Sequence, residues 1–126
     1  MSLYAIEEPA TLDITVVVGN SFNREVQLCD DDGVAIPLSG MAACAQIIDE
    51  EEDKLLVEFI VSSLDDDGKI PLLLKTEDTQ KLAGCSSARW SLTVFDEANP
   101  ATYTVTVICG RVTIKDVGLD LKGALA

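Results

Sequence analysis

The sequence contains no histidine. That absence removes the Ser-His and Cys-His pairs of nucleophilic catalysis, histidine general bases and most catalytic zinc sites. Phosphate-binding loops are missing too, because neither G-x-x-x-x-G-K-S/T nor G-x-G-x-x-G occurs in the chain. We therefore expect a protein that is not an enzyme, with no catalytic residue, no cofactor-binding residue, no metal ligand and no cofactor.

Basic residues are scarce. Nine lysines and arginines stand against 22 aspartates and glutamates, which gives a net charge of −13. Such a charge repels phosphate backbones and anionic lipid surfaces, so we expect neither nucleic acid nor a membrane as a partner. No apolar run approaches the roughly 18 to 20 residues of a membrane span. The opening residues "MSLYAIEEPA" also lack the basic and apolar regions of an export signal.

Cysteines are few and far apart. Cys29, Cys44, Cys85 and Cys109 are separated by 15, 41 and 24 positions, whereas structural zinc sites carry closely spaced pairs. Without an export signal, an even number of cysteines does not imply a disulfide framework. We expect four buried free thiols.

Short segments of alternating polarity dominate what is present. With 126 residues, 48% of them hydrophobic, the chain can build one core. The alternation, broken by turn residues, is typical of an all-β sandwich or barrel. We expect a segment at residues 1–10, whose first three residues could be a cloning remnant, a single β-sandwich domain at 11–115 and a C-terminal tail at 116–126.

Individual segments give more specific expectations. "TLDITVVV" and "SARWSLTVFD" each place alternate apolar residues on one face, and Trp90 is read as a core anchor. "MAACAQII" has small apolar residues on both faces, which favours a strand covered on both sides or packed tightly against a neighbour. Pro71 pushes "KIPLLL" towards a sheet edge or a bulge. Residues 76–83 form one short helical turn, capped by Thr76, and Gly110 predicts a β-bulge in the last strand.

Two aspartate clusters resemble calcium-binding loops: "CDDDGVAIPLSG" at residues 29–40 and "LDDDGKIPLLL" at 64–74. Aligning Gly33 or Gly68 with the invariant glycine of an EF-hand loop leaves no aspartate at position 1 and no glutamate at position 12. Asp-Gly is also one of the strongest hairpin signals. We therefore read both clusters as the same hairpin device used twice, with an irregular calcium site as the less favoured alternative.

The other charged residues also have structural explanations. Twenty-two acids guarantee some carboxylate pairs at glycosidase distances by chance, so a solvated acidic surface is the simpler reading. Arg89 and Arg111 are expected to pair with neighbouring carboxylates, or to lie in a subunit interface.

The order of these features resembles that of small phage and prophage structural proteins related to the N-terminal domain of siphophage baseplate upper proteins. The matching stretches lie within residues 11–115 and are "VVVGNSF", "DDDGVAIPLSG", "DDGKIPLLL", "TEDTQKLAG" and "WSLTVFDEANPATYTVTVICGRVTI". The resemblance implies an immunoglobulin-like β-sandwich of about seven to nine strands in a virion tail, baseplate or fibre apparatus. It brings no catalytic residue with it.

Our first functional hypothesis is therefore a non-enzymatic virion assembly module. Its partners would be further copies of itself and other phage tail proteins, in the bacterial cytoplasm before assembly and in the virion afterwards. The alternative is a ligand-binding sandwich, either carbohydrate-binding or calcium-stabilised and adhesin-like. Aromatic residues at 5% argue against a sugar platform. A hydrolase with two carboxylates is a third, weaker hypothesis.

Overall fold

The computed structural model describes residues 8–61, 64–101 and 103–116. Within these ranges the chain forms eight strands and one short helix. Their bounds are β1 Ala10–Thr11, β2 Ile14–Val17, β3 Phe22–Gln27, β4 Met41–Asp49, β5 Lys54–Glu58, β6 Lys69–Leu74, α1 Thr76–Gln80, β7 Ala88–Asp96 and β8 Thr104–Lys115. None of these residues belongs to a helix with the length and apolarity needed to cross a lipid bilayer.

The larger sheet has β7 and β4 at its centre. β8 pairs antiparallel with β7, β7 with β4, and β4 with β5. On the far side of β8, the short strands β1 and β2 run parallel to it, with Ile14 opposite Val112. The first strand of the chain is thus held by the last one.

The smaller sheet pairs β3 with β6, from Phe22 opposite Leu74 to Gln27 opposite Lys69. The chain changes sheets just after β5: the Phe59 amide still donates to Ala45 in the larger sheet, whereas Ile60 exchanges backbone hydrogen bonds with Leu73 of β6. In an immunoglobulin domain, strand B pairs with E in one sheet, and C, F and G form the other, with C′ added in variable-type domains. The same pairing holds here, so the protein is an immunoglobulin-like β-sandwich, as predicted.

The two sheets meet over one apolar core, and β7 supplies its middle. Trp90, only 1% exposed, confirms the prediction of a core anchor. The Phe59 ring lies edge-on to the Trp90 ring at 6.0 Å and to the Phe22 ring at 5.7 Å. This aromatic series connects β7 with β3 and the sheet-changing segment. Burial of these rings contributes to the hydrophobic term that dominates folding, and edge-to-face contact between them adds to it.

Trp90 also ties the N-terminal strands to the sheet. Its indole N–H donates to the carbonyl oxygen of Leu12 at 2.7 Å, in the gap between β1 and β2. Gly110 lies opposite Trp90 on the intervening strand β8. A Cβ at Gly110 would overlap the Leu12 carbonyl. Glycine is therefore required here for close approach of two backbones, which weakens the sequence-based reading of this residue as a bulge.

The bulge lies earlier in β8. Leu92 of β7 pairs with Ile108, and the next residue, Thr93, pairs with Thr106. Val107 therefore has no partner on β7 and is the bulged residue. Val107 and Ile108 are both buried. The predicted bulge at Gly110 is therefore wrong in position, whereas the prediction of one long strand is confirmed.

Pro71 sits where its missing N–H costs nothing. The Leu73 amide points away from β3 towards Ile60, and residue 71 of the same strand faces the same way. No ladder bond to β3 is lost, which agrees with the predicted edge position.

Helix α1 is anchored through a buried hydroxyl. Thr79 is 0% exposed, and its Oγ1 donates to the carbonyl of Asn20 and accepts from the Gly19 amide at 3.0 Å. The helix is thereby fixed to the turn between β2 and β3. The predicted cap is wrong by one residue: Lys75 is the N-cap, and its amide donates to Asp78 Oδ2 at 3.0 Å.

The two aspartate clusters pack against each other. The Leu28 amide donates to the Gly68 carbonyl at 2.8 Å, and the Leu38 amide donates to the Asp65 carbonyl at 3.0 Å. The first cluster closes a hairpin, with Cys29 opposite Ala35. The second cluster instead turns the chain into β6 alongside that hairpin, so the prediction of one hairpin device used twice holds only for the first.

Gly68 is the tightest point of this contact. It has a φ of +70°, and a Cβ there would lie 2.6 Å from the Leu28 carbonyl oxygen and 3.1 Å from that of Ile36. Gly33, at the tip of the first cluster, has a φ of +81° but open space around it. Gly33 is therefore needed only for its positive φ, whereas Gly68 is needed both for its positive φ and because no Cβ fits beside the neighbouring backbone.

We predict that Gly68→Ala destabilises the fold far more than Gly33→Ala. Both substitutions cost about 1 kcal/mol for the left-handed backbone, and Gly68→Ala adds about 1 to 3 kcal/mol because backbone atoms must move. Urea unfolding of both variants measures the difference. Equal losses would show that the two clusters do not pack as described.

Candidate interaction face

The carboxylates of the aspartate clusters cap their own turns. Asp30 Oδ1 accepts from the Asp32 and Val34 amides at 2.9 Å, and the bond from Val34 is the main reason that the pKa of Asp30 is lowered. Asp65 and Asp66 accept from the Asp67 and Ser39 amides. The contacts of Asp30 and Asp65 are local Asx-type contacts, whereas Asp66 joins the second cluster to the first, so these three aspartates have a structural use without a ligand.

The remaining acidic turns follow the same rule. Asp49 Oδ1 accepts from the Glu51 amide at 2.9 Å, and Asp96 Oδ1 accepts from the Ala98 amide at 3.0 Å. Within the described ranges, no three cysteine, aspartate or glutamate side chains form a group that could hold a metal ion. Asp49 and Asp96 therefore stabilise the turns in which they lie.

Carboxylates are almost excluded from strand interiors. Glu25 of β3 is interior to its strand, whereas Asp49, Glu58 and Asp96 are each the last residue of a strand. The other described acids lie in turns, in α1 or between strands. The acidic charge is thus concentrated around the rim of the sandwich.

One consequence is a sheet face without carboxylates, which we call the outer face. It consists of the side chains of β4, β7 and β8 that alternate with the core residues and point away from the smaller sheet. Where β8 pairs with β7, they are Ala42, Cys44, Gln46, Ile48, Arg89, Ser91, Thr93, Phe95, Thr104, Thr106, Cys109 and Arg111. Beyond the end of β7, Thr113 and Lys115 of β8 point the same way. No acidic residue is among them.

The outer face is made mostly of small uncharged side chains. Cross-strand neighbours cover one another, so Cys44, Ser91 and Thr93 at its centre are only half-exposed. This agrees with the prediction that "MAACAQII" is closely covered, since no residue of β4 is fully exposed. On β5, at the edge of the sheet, Leu55 is 46% exposed. Burial and the nearby charge of Glu58 raise the pKa of the Cys44 thiol, which keeps it protonated at neutral pH.

Two arginines share one row across the strands but differ in their pairing. Arg89 makes an ion pair with Asp53 at 2.9 Å, as predicted. The backbone N–H of Arg111 donates to Asp13 Oδ1 at 2.9 Å. Its guanidinium has no carboxylate within ion-pair distance among residues 8–61, 64–101 and 103–116, so the predicted ion pair is not seen there.

The cysteines are free thiols in the described structure, which confirms half of the prediction. Cys29 is exposed at the first aspartate cluster, and Cys44, Cys85 and Cys109 are half-buried, so the expectation of full burial is wrong. Cys44 and Cys109 point to the outer face from strands on either side of β7. Two strand spacings separate them, about 10 Å, which is too far for a disulfide within one chain.

The outer face was not identified from the sequence, although a signal was there. The outward positions of "ARWSLTVFD" and "TYTVTVIC" carry serine, threonine and cysteine but no acid, in a chain in which acids outnumber bases by 22 to 9. Recognising the face also required knowing that β4 lies beside β7, which a single sequence does not reveal.

Comparison with known proteins gives structural neighbours only. No family model matches the chain, and no curated protein matches it. Solved structures that resemble it include the ZIG-8–RIG-5 IG1–IG1 heterodimer, at 14% identity over 88% of each chain with a TM-score of 0.40. A voltage-gated sodium channel beta-subunit structure described by its cell-adhesive interactions has 12% identity, over 83% of this chain and 92% of that one, with a TM-score of 0.44. At such values the likeness says nothing about function, and the fold assignment depends on the strand pairing above.

We predict that calcium and magnesium, each at about 5 mM, change the melting temperature equally. Both ions screen the net charge, but only a specific native-state site adds stability for one ion over the other. Differential scanning fluorimetry in the two salts makes the comparison. A calcium shift clearly above the magnesium shift would revive the calcium-site reading of the aspartate clusters.

Proposed function

We propose that this chain is a non-enzymatic structural module that assembles through protein–protein contacts within a phage or prophage virion, in its tail, baseplate or fibre apparatus. The observation that carries the proposal is the outer face: a carboxylate-free sheet surface on a protein with a net charge of −13. The centres of protein interfaces are depleted of charged residues and well packed.

The rim supports the same reading. A strongly negative rim keeps the free subunit soluble and opposes unspecific association, because like charges repel at close range. The carboxylate-free outer face is then the place where a partner can approach without bringing carboxylates together. The charge pattern therefore favours contact through the outer face.

Placement in a virion is supported by the resemblance to phage baseplate proteins. Its stretches within residues 11–115 are turns and strands of the sandwich, including both aspartate clusters and α1. Such positions preserve a scaffold and bring no chemistry with them. The partners in this proposal are further copies of the chain and other tail proteins, with assembly beginning in the bacterial cytoplasm.

The ligand-binding alternative has no observation of its own in its favour. Asp30 and Asp65 of the two aspartate clusters cap turns, and Trp90, the largest aromatic side chain, is buried in the core instead of lying on a sugar-binding surface. It is tested by the calcium comparison above.

We predict that the chain sediments with virus particles released from cells that encode it. A density gradient probed with an antibody against the chain measures the association. Thr106→Asp places a carboxylate on the outer face and is expected to reduce particle-bound chain at least about tenfold, since an unpaired charge in an interface is costly.

The matched control is Asn23→Asp, which adds the same charge at an exposed strand position of the smaller sheet. It should leave the association unchanged. Absence of the wild-type chain from every particle fraction would contradict the proposed function. Equal losses in both variants would show that net charge, and not the outer face, governs assembly.

A further inference from the structure

The outer face is bordered by two opposite charges in complementary places. Glu58 ends β5, on one side of the central strands β4 and β7, and Arg111 lies on β8, on the other side. Glu58 is in the cross-strand row of Gln46, Ser91 and Cys109, and Arg111 is in the next row, with Arg89 and Ile48. The two charges are therefore one row apart along the strands and three strands apart across the sheet.

A two-fold axis parallel to the strands brings these charges together. If the axis runs between β4 and β7, β8 of one copy lies over β5 of the other. Arg111 then faces the partner's β5 one row, or about 7 Å, from the Glu58 position, with the sheets about 10 Å apart. The two displacements are perpendicular and combine to about 12 Å, which an arginine and a glutamate side chain can span together. Because the contact is isologous, the pair forms twice.

The alternative axis, perpendicular to the strands, gives no such match. It would lay β8 over β8 in reverse, so Arg111 would meet the Thr104 end of the same strand. Arg89 does not interfere in the first arrangement, since Asp53 already neutralises it at 2.9 Å. Of the two arginines on the outer face, Arg111 is the one left without an ion pair among the described residues.

The chemistry of the face also favours a second copy over a basic partner. A basic protein would be recognised through carboxylates, and β4, β7 and β8 present none on this side. A carboxylate-free surface made mostly of small uncharged side chains fits another surface of the same kind. Its own copy supplies that surface together with the matching charges.

We propose that the outer face packs against the outer face of a second copy, with Arg111 of each protomer paired to Glu58 of the other. This inference rests on the proposed assembly function and names the contact through which it operates. From strand spacing, the outer face together with β5 measures about 19 by 20 Å, or about 400 Å² in projection. This is below the roughly 800 Å² per partner of a standard interface, so the dimer is concentration-dependent and not obligate.

Charge reversal combined with sedimentation equilibrium tests the pairing, from about 10 µM to about 1 mM chain. Glu58→Arg and Arg111→Glu should each raise the dimer Kd at least about tenfold, a typical loss for a disrupted interfacial charge pair. The double variant Glu58→Arg/Arg111→Glu restores opposite charges and should return the Kd to within about threefold of wild type.

Matched controls separate pairing from net charge. Glu25→Arg on β3 and Lys69→Glu on β6 make the same change of charge on the smaller sheet. Repulsion alone predicts that any substitution to a less acidic chain strengthens the dimer. The pairing instead predicts that Glu58→Arg weakens it whereas Glu25→Arg does not. Circular dichroism and melting of each variant exclude unfolding as the cause.

Two results would overturn the inference. If wild type dimerises but the double variant is weaker than both single variants, Glu58 and Arg111 do not pair. If wild type remains monomeric at about 1 mM, the outer face does not bind a second copy. In either case the proposed function is judged separately, by whether the wild-type chain sediments with particles.

Discussion

Twenty-two carboxylates on a 126-residue chain have to lie where water and counterions can screen them, and the sandwich is arranged around that requirement. Burial of an unpaired carboxylate is too costly for the core, and rows of carboxylates on a sheet would repel one another across strands. The chain places them in turns, where aspartate side chains accept backbone amides, as at Asp30, Asp49 and Asp96. The same aspartates therefore keep their charge exposed to water and stabilise the turns in which they lie.

The remainder of the fold follows from what is left for the strands. Apolar residues on one face of β7 build the core around Trp90, whose indole holds the Leu12 carbonyl across Gly110 and so fixes the N-terminal strands. The opposite face of β7, with those of β4 and β8, carries no carboxylate and is mostly uncharged, and forms the outer face. In the proposed function, this carboxylate-free face is where a neighbouring protein binds, because contact there brings no carboxylates together.

Sequence reasoning reached the elements governed by local patterns. Alternation located the core positions of β3, β6 and β7, and Pro71 correctly indicated an edge. The sequence-based predictions were wrong or missing where a residue's role depends on a contact with a residue far away in the chain. Gly110 was assigned a bulge because its contact with Leu12 lies 98 positions away in the chain, and the same distance hid the Asp13 bond to Arg111. Nothing in the local sequence around Thr79 indicated the hydrogen bond from its hydroxyl to the Asn20 carbonyl. The outer face, likewise, exists only once β4, β7 and β8 are side by side.

The central claim is that association proceeds through the outer face. The most direct measurement is a dilution series of amide NMR spectra, which reports which residues change environment as copies come together. We expect concentration-dependent shifts to cluster on the outward residues of β4, β7 and β8 and at Glu58, with β3 and β6 unchanged. Shifts confined to β3, β6 or the aspartate clusters, or none at all up to about 1 mM, where even weak specific dimers form, would contradict the account.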